Sequence, residues 1–119
     1  MKTDIQNEID ESALLKLVSE SVLGMKGVTQ MALEAEGLRS NILVRDTFIK
    51  DGVKLTKDKE GNITFDVYIR VVFGTKIPQL AWELQRKIQE DILSSSGLTI
   101  NDINIHVEGV DLGDGNEQN

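Results

Sequence analysis

The chain has 119 residues, with 20 acidic against 13 basic side chains, a net charge of −7, one histidine and no cysteine. That length fits one domain with a core of its own, and the lack of cysteine excludes disulfides, thiolate metal sites and thiol catalysis. The negative charge disfavours phosphate backbones and anionic lipid surfaces, and no apolar run approaches the ~20 residues of a membrane helix.

The polar, acidic start MKTDIQNEIDES does not have the form of a signal peptide, so a soluble, cytoplasmic protein is expected. Asp10 or Ser12 can cap a first helix, because a short side-chain oxygen accepts from a free N–H of the first turn. Leu14, Leu17, Val18, Val22 and Met25 share one helical stripe, and Gly24 and Gly27 end it. The spacing predicts a helix over about 11–25. Val28–Ala35 then reads as a short strand with Met31 and Leu33 on one side. From Glu36 to Asp51 the pattern is weak. Leu38, Ile42 and Leu43 have helical spacing, so a short helix or a mobile excursion is expected there rather than a strand.

Alternation resumes at Gly52–Lys59, with Val53 and Leu55 inward and Lys54 and Thr56 outward. Asp58–Asn62 is a polar turn with glycine available for positive φ, which predicts a hairpin onto the next segment. That segment, ITFDVYIRVVF at Ile63–Phe73, is the strongest signal in the chain. Its odd positions are all large and apolar, and its even positions include Thr64, Asp66, Tyr68 and Arg70. Side chains alternate faces along a strand, so one flank is buried under helices and the other meets water or a partner. Pro78 suits a helix first turn. Ile77, Leu80, Ala81, Leu84, Ile88 and Ile92 continue as one apolar stripe, and Gly97 stops it, predicting a helix over 77–96. Leu98–Val110 is a last alternating strand, followed by an acidic flexible tail over 111–119.

The order α-β-β-β-α-β predicts an α+β fold. It is a two-layer sandwich in which two helices cover one face of a mixed sheet, and residues 1–110 form a single domain. The strand–helix–strand unit from 63 to 110 would be a right-handed crossover if its strands pair in parallel.

Candidate chemistry is sparse. His106, beside Asn104 and Glu108 on the polar face of the last strand, can be paired with a carboxylate for acid–base work. A lone surface histidine is the more ordinary reading, and no second histidine supplies metal-ligand spacing. Asp111–Asn116 suggests a calcium loop, but Gly113 and Gly115 stand where oxygen ligands are needed. No catalytic, cofactor or metal residue is therefore assigned. Asp66, Tyr68, Arg70 and His106 form a candidate recognition face, weighed against an ordinary solvated sheet. On the last helix, Trp82 lies about 160° from Leu84, and Leu93 falls within about 20° of Trp82. With Arg86 and Gln89 they make a second apolar spot, either covered by 36–51 or used for contact with another subunit or protein.

The stretches SVLGMKGVTQMA, GVKL, ITFDVYIRVVFGTKIPQLAWELQRKIQ and GLTINDINIHVEGV resemble the alkaline shock protein/general stress protein family of Gram-positive and related bacteria. The Phe73-Gly74 strand exit, the Ile77-Pro78 helix start and the Ile103-Asn-Ile-His-Val107 strand carry the likeness together. The resemblance implies a non-catalytic cytoplasmic protein of envelope or alkaline stress. It further implies self-assembly or a membrane-anchored protein partner, with a fatty-acid-kinase-like or dihydroxyacetone-kinase-like protein as another partner. It implies no cofactor and no direct membrane insertion. An interaction or scaffold role is thus expected, with a small RNA-binding α/β module as the alternative; an enzyme acting through His106 ranks last.

Overall fold

Pairing in the sheet converges on one strand. The structure, a computed structural model, describes residues 10–39 and 46–112. In chain order these form α1 (Glu11–Leu23), β1 (Val28–Met31), α2 (Glu36–Arg39), β2 (Thr47–Lys50), β3 (Val53–Lys57), β4 (Ile63–Val72), α3 (Ile77–Ser96) and β5 (Asp102–Asp111). β5 runs parallel to β4 along almost its whole length. The other edge of β4 is divided: β3 pairs antiparallel with its first half and β1 antiparallel with its second. β2 extends the sheet outward from β3. The sheet is therefore mixed, and the parallel unit β4–α3–β5 is present as expected.

At the seam between β1 and β3, Tyr68 serves both neighbours. Its carbonyl accepts from the Ala32 N–H at 2.8 Å, and its own N–H donates to the Gly52 carbonyl at 3.0 Å.

Alternation decides the burial. Phe65, Val67 and Ile69 of β4 are fully enclosed, with Val53 and Leu55 of β3 beside them. Leu14, Val18 and Val22 of α1 and Leu80, Leu84, Ile88 and Ile92 of α3 close over that face. Asp10 caps α1 by accepting from the Ala13 N–H at 3.1 Å. Gly97 ends α3 in the left-handed region at φ 80°. The two long helices are also tied by polar groups. The Ser21 hydroxyl donates to Asp91 at 2.5 Å, and Lys87 reaches the same carboxylate at 3.1 Å. The Ser21 bond first, and Lys87 after it, lower the Asp91 carboxyl below its usual range.

Several expectations need correction. The 36–51 segment contains a strand, β2, joined to β3 by Asp51 and Gly52, both at positive φ (52° and 83°). Only α2 of the expected helical stretch is described, and Ile42 and Leu43 lie outside the described residues. β1 stops at Met31, so Leu33 is exposed rather than sharing Met31's side. Phe73 is 70% exposed, because β4 ends at Val72 and the chain turns at Gly74 toward α3. Lys54, expected outward, is buried. Asp111, placed in the tail by sequence, is the last residue of β5, and 113–119 lie outside the described residues.

Candidate interaction surfaces

The even-numbered side chains of β4 do share a face, and β5 supplies their neighbours in register: Asp66 beside Asn104, Tyr68 beside His106. Asp66 takes the His106 Nε2 at 2.8 Å and the Asn104 side-chain amide at 3.2 Å. An ionised carboxylate only accepts, so Nε2 carries the proton in this bond. The His106 ring stacks on Tyr68 with centroids 4.4 Å apart and planes 9° apart.

Tyr68 departs from the expected open face. Only 5% of it is exposed, because residues 32–39 fold back over it and form a second small core of Ala32, Ala35, Leu38 and Tyr68. Gly37 lies so close that a Cβ there would collide with the phenol ring. The Lys54 ammonium donates to the Gly37 carbonyl at 3.0 Å, which holds this cover to β3 and explains why the lysine is buried. Burial, aided by the charges of Asp66 and Glu108, pushes the Tyr68 hydroxyl above its ordinary value. An RNA-binding sheet stacks bases on open aromatics. Here the ring is occupied by His106 and by the 32–39 cover.

Arg70 is engaged as well. Its guanidinium meets Asp111 through Nε at 3.0 Å and Nη2 at 2.8 Å, and lies directly against Gly109, where a Cβ would displace it. A one-residue bulge at Glu108 sets Gly109 opposite Arg70. The other Asp111 oxygen accepts from the Thr29 hydroxyl at 2.5 Å and the Gln30 amide at 3.3 Å. Asp111 therefore joins β1, β4 and β5. Arg70 chiefly, and Thr29 next, hold its carboxyl well below the usual carboxylate range. A depressed pKa stabilises the fold above the unfolded value, near 3.8, and that contribution disappears as pH falls below it. Asp111→Asn should lower the melting temperature at pH 7, and the gap to the parent should close in melts run near pH 2. A gap of equal size at both pH values would refute this account.

The polar face thus brings Asp66, Tyr68, Arg70 and His106 together, but their polar groups are largely committed to one another and to β1, β5 and 32–39. Sequence reasoning missed Lys54, Gly37, Thr29 and Gln30 as partners of this face. Only the Lys54–Asp66 register could have been guessed from the β3–β4 hairpin.

The far side of α3 is different. Trp82 is 56% exposed and Leu93 53% exposed, on the side opposite the buried stripe. Arg86 lies over the Trp82 ring at 5.1 Å and pairs with Glu90 at 3.0 Å. Gln89 stands between Arg86 and Leu93, half-buried. A notch of about 170 Å³ adjoins Leu93, lined by Gln89, Glu90, Thr99, Ile100 and Asn101. The described parts of 36–51 do not form this cover: α2 packs on Tyr68 and β2 on β3. Among the described residues no helix is long and apolar enough to cross a membrane.

A family model for alkaline shock proteins, described as having a cell envelope-related function, matches residues 2–112. The uncharacterised protein YqhY of Bacillus subtilis is 44% identical over 59 residues, covering 50% of this chain and 43% of YqhY. Spy1535 of Streptococcus pyogenes is 30% identical over 83 residues, covering 65% of this chain and 64% of that protein. The chain therefore spans less than two thirds of the length of both. YloU of Bacillus subtilis is 31% identical over 110 residues, 90% of this chain and 86% of YloU. No solved structure matches the chain.

Proposed function

We propose, for a chain that belongs to the alkaline shock protein family and so to a family of cell envelope-related function, a non-catalytic adaptor role exercised through protein contacts on the outward face of α3. The observation that carries this reading is the exposure of Trp82 and Leu93 on one helical face, with Arg86 stacked on the indole. Tryptophan and arginine are the side chains most enriched among residues that dominate binding energy. A tryptophan more than half exposed on a well-packed helix contributes little to the fold. The polar sheet face, by contrast, is already engaged within the chain, so the recognition role expected of it passes to α3. Attachment to the envelope runs, in this reading, through a protein at the membrane rather than through lipid, in keeping with the net charge of −7.

The test is co-sedimentation of the purified protein with envelope fractions from a Gram-positive bacterium. The parent should be recovered with the envelopes, and protease treatment of the envelopes should abolish recovery. Trp82→Ala should reduce the bound fraction about tenfold or more, the loss expected for a dominant contact residue, with an unchanged circular dichroism spectrum. Asn104→Ala, on the sheet face, should bind as the parent does. Equal recovery of the Trp82→Ala protein would sink the proposal.

A further inference from the structure

We propose that the outer edge of β1 takes up an extended segment of another protein as an added strand, one that alternates apolar and basic side chains. The site lies at the sheet, away from the outward face of α3, and gives the protein a second kind of contact.

The sheet has a vacant place. β4 carries β5 on one side and, on the other, β3 and β1 end to end. β2 lies outside β3, but among the described residues no strand lies outside β1. Gln30 pairs with Arg70, and the Ala32 N–H donates to the Tyr68 carbonyl. The backbone groups of Met31, between them, therefore face away from β4. Sheet edges are ordinarily guarded by charge or cover. β5 has Asp102, Glu108 and the Gln85 amide on the Ile103 carbonyl at 2.8 Å, and β2 ends on Lys50. β1, VTQM, is short but carries no charge.

There is room on both faces of that edge. On the helix side a groove of about 500 Å³ is floored by α1 and closed at one end by the β2–β3 turn, with Leu23, Met31 and Leu33 as its apolar lining. On the other side a hollow of about 490 Å³ runs along Gln30–Ala35, walled by Arg70 and Glu108. Side chains of an added strand point alternately to the two faces, so one set enters the groove and the other the hollow. Leu23 and Leu33 are exposed and suit apolar partners, while Lys16 and Lys50 on the groove's rim are balanced by Glu20 and Asp51. The hollow suits cations. Glu34 and Glu108 line it without an ion-pair partner among the described residues, its Arg70 is held by Asp111, and the whole chain is at −7.

The chain's own ends do not match this place. Residues 113–119 carry no apolar side chain. Residues 1–9, laid parallel to β1 and joined to it through α1, would make a crossover of the hand opposite to β4–α3–β5. That follows because β1 points against β4 from its other side, while both long helices cover one face. Crossovers between parallel strands are right-handed in nearly all proteins, so the two cannot both be ordinary.

The probe is the fluorescein-labelled peptide KVKIKVK, titrated by fluorescence polarisation at about 0.15 M salt, where long-range attraction is screened. The full chain should bind it at least about tenfold more tightly than the scrambled KKVIVKK or the acidic EVEIEVE. Methylating the backbone nitrogens of the lysines, or those of the apolar residues, blocks opposite edges of an extended peptide. One pattern should abolish binding and the other leave it nearly unchanged. Leu23→Ser with Leu33→Ser should weaken binding about tenfold or more through lost apolar contact, with an unchanged melting temperature. Glu34→Lys with Glu108→Lys should reverse the preference between KVKIKVK and EVEIEVE. Trp82→Ala should bind the peptide as the parent does, so this site and the α3 reading stand or fall separately. No binding of KVKIKVK up to near-millimolar concentration, equal loss under both methylation patterns, or parental binding by the Leu23 and Leu33 double variant overturns the proposal. Binding that tightens in Ile5→Ser with Ile9→Ser, or that splits a dimer in sedimentation, gives the place to the chain's own start or to a second copy and overturns it as well.

Discussion

Phe65→Ala is expected to remove about 3–5 kcal/mol of folding stability, the usual cost of emptying a buried aromatic site. Phe65 is fully enclosed at the middle of the sheet, with Leu55 directly beside it on β3 and Ile103 beside it on β5. Those neighbours are fixed by ladder hydrogen bonds on both sides, so they cannot move in to fill the space. For a domain whose whole stability is about 5–15 kcal/mol, that is a large share. Urea unfolding should show the midpoint falling with the slope unchanged. Phe73→Ala supplies the contrast: the same side chain, 70% exposed, should change stability by no more than about 0.5 kcal/mol. Similar effects at the two positions would mean that the inward face of β4 has been assigned wrongly.

The second large effect is at Gly52. Gly52→Ala should cost about 2–4 kcal/mol, the sum of a strained backbone and an overfilled site. Asp51 and Gly52 both sit at positive φ and form the two-residue turn of the β2–β3 hairpin, which only glycine enters without penalty at its second place. A Cβ at Gly52 would also lie 2.9 Å from the Cβ of Met31. That contact cannot be relieved by a side-chain rotation, because Met31 is paired to β4 through its own backbone. The Gly52 carbonyl accepts from Tyr68, so the disturbance reaches the seam where β1 and β3 meet. Asp51→Asn should be nearly neutral, since asparagine tolerates the left-handed region as aspartate does. Thermal melts of the two variants separate the outcomes, and a neutral Gly52→Ala would show that the turn is built differently.

That same turn marks where the sequence was under-read. Asp-Gly between Phe48-Ile49-Lys50 and Val53-Lys54-Leu55 is among the strongest short hairpin signals a chain can carry. Starting the alternation at Gly52 places the turn residue at the head of a strand and hides β2 before it. Helix α3 was legible to the residue because its start, stop and apolar stripe are all local: Pro78, Gly97 and Leu80 to Ile92. The alternation of β4 was legible for the same reason. Its polar flank was legible as a row but not as a surface, since what lies over Tyr68 comes from Ala32, Ala35 and Leu38, some thirty residues upstream. No local pattern announces that a four-residue helix and two alanines will cover a tyrosine. The outward side of α3 was readable because helical geometry alone places Trp82 and Leu93 together; what faces them is not written in the helix.

A strand that serves β1, β3 and β5 at once also imposes a schedule on the chain while it is being made. Helix α1 and strand β1 leave the ribosome well before β4, and their greasy sides have no sheet to lie against until Val72 has emerged. At ~5–20 residues per second the interval is roughly 2–8 s of translation. For that time Leu14, Val18 and Val22 stand unsheltered, and the nascent amino-terminal third is the part that a chaperone would hold.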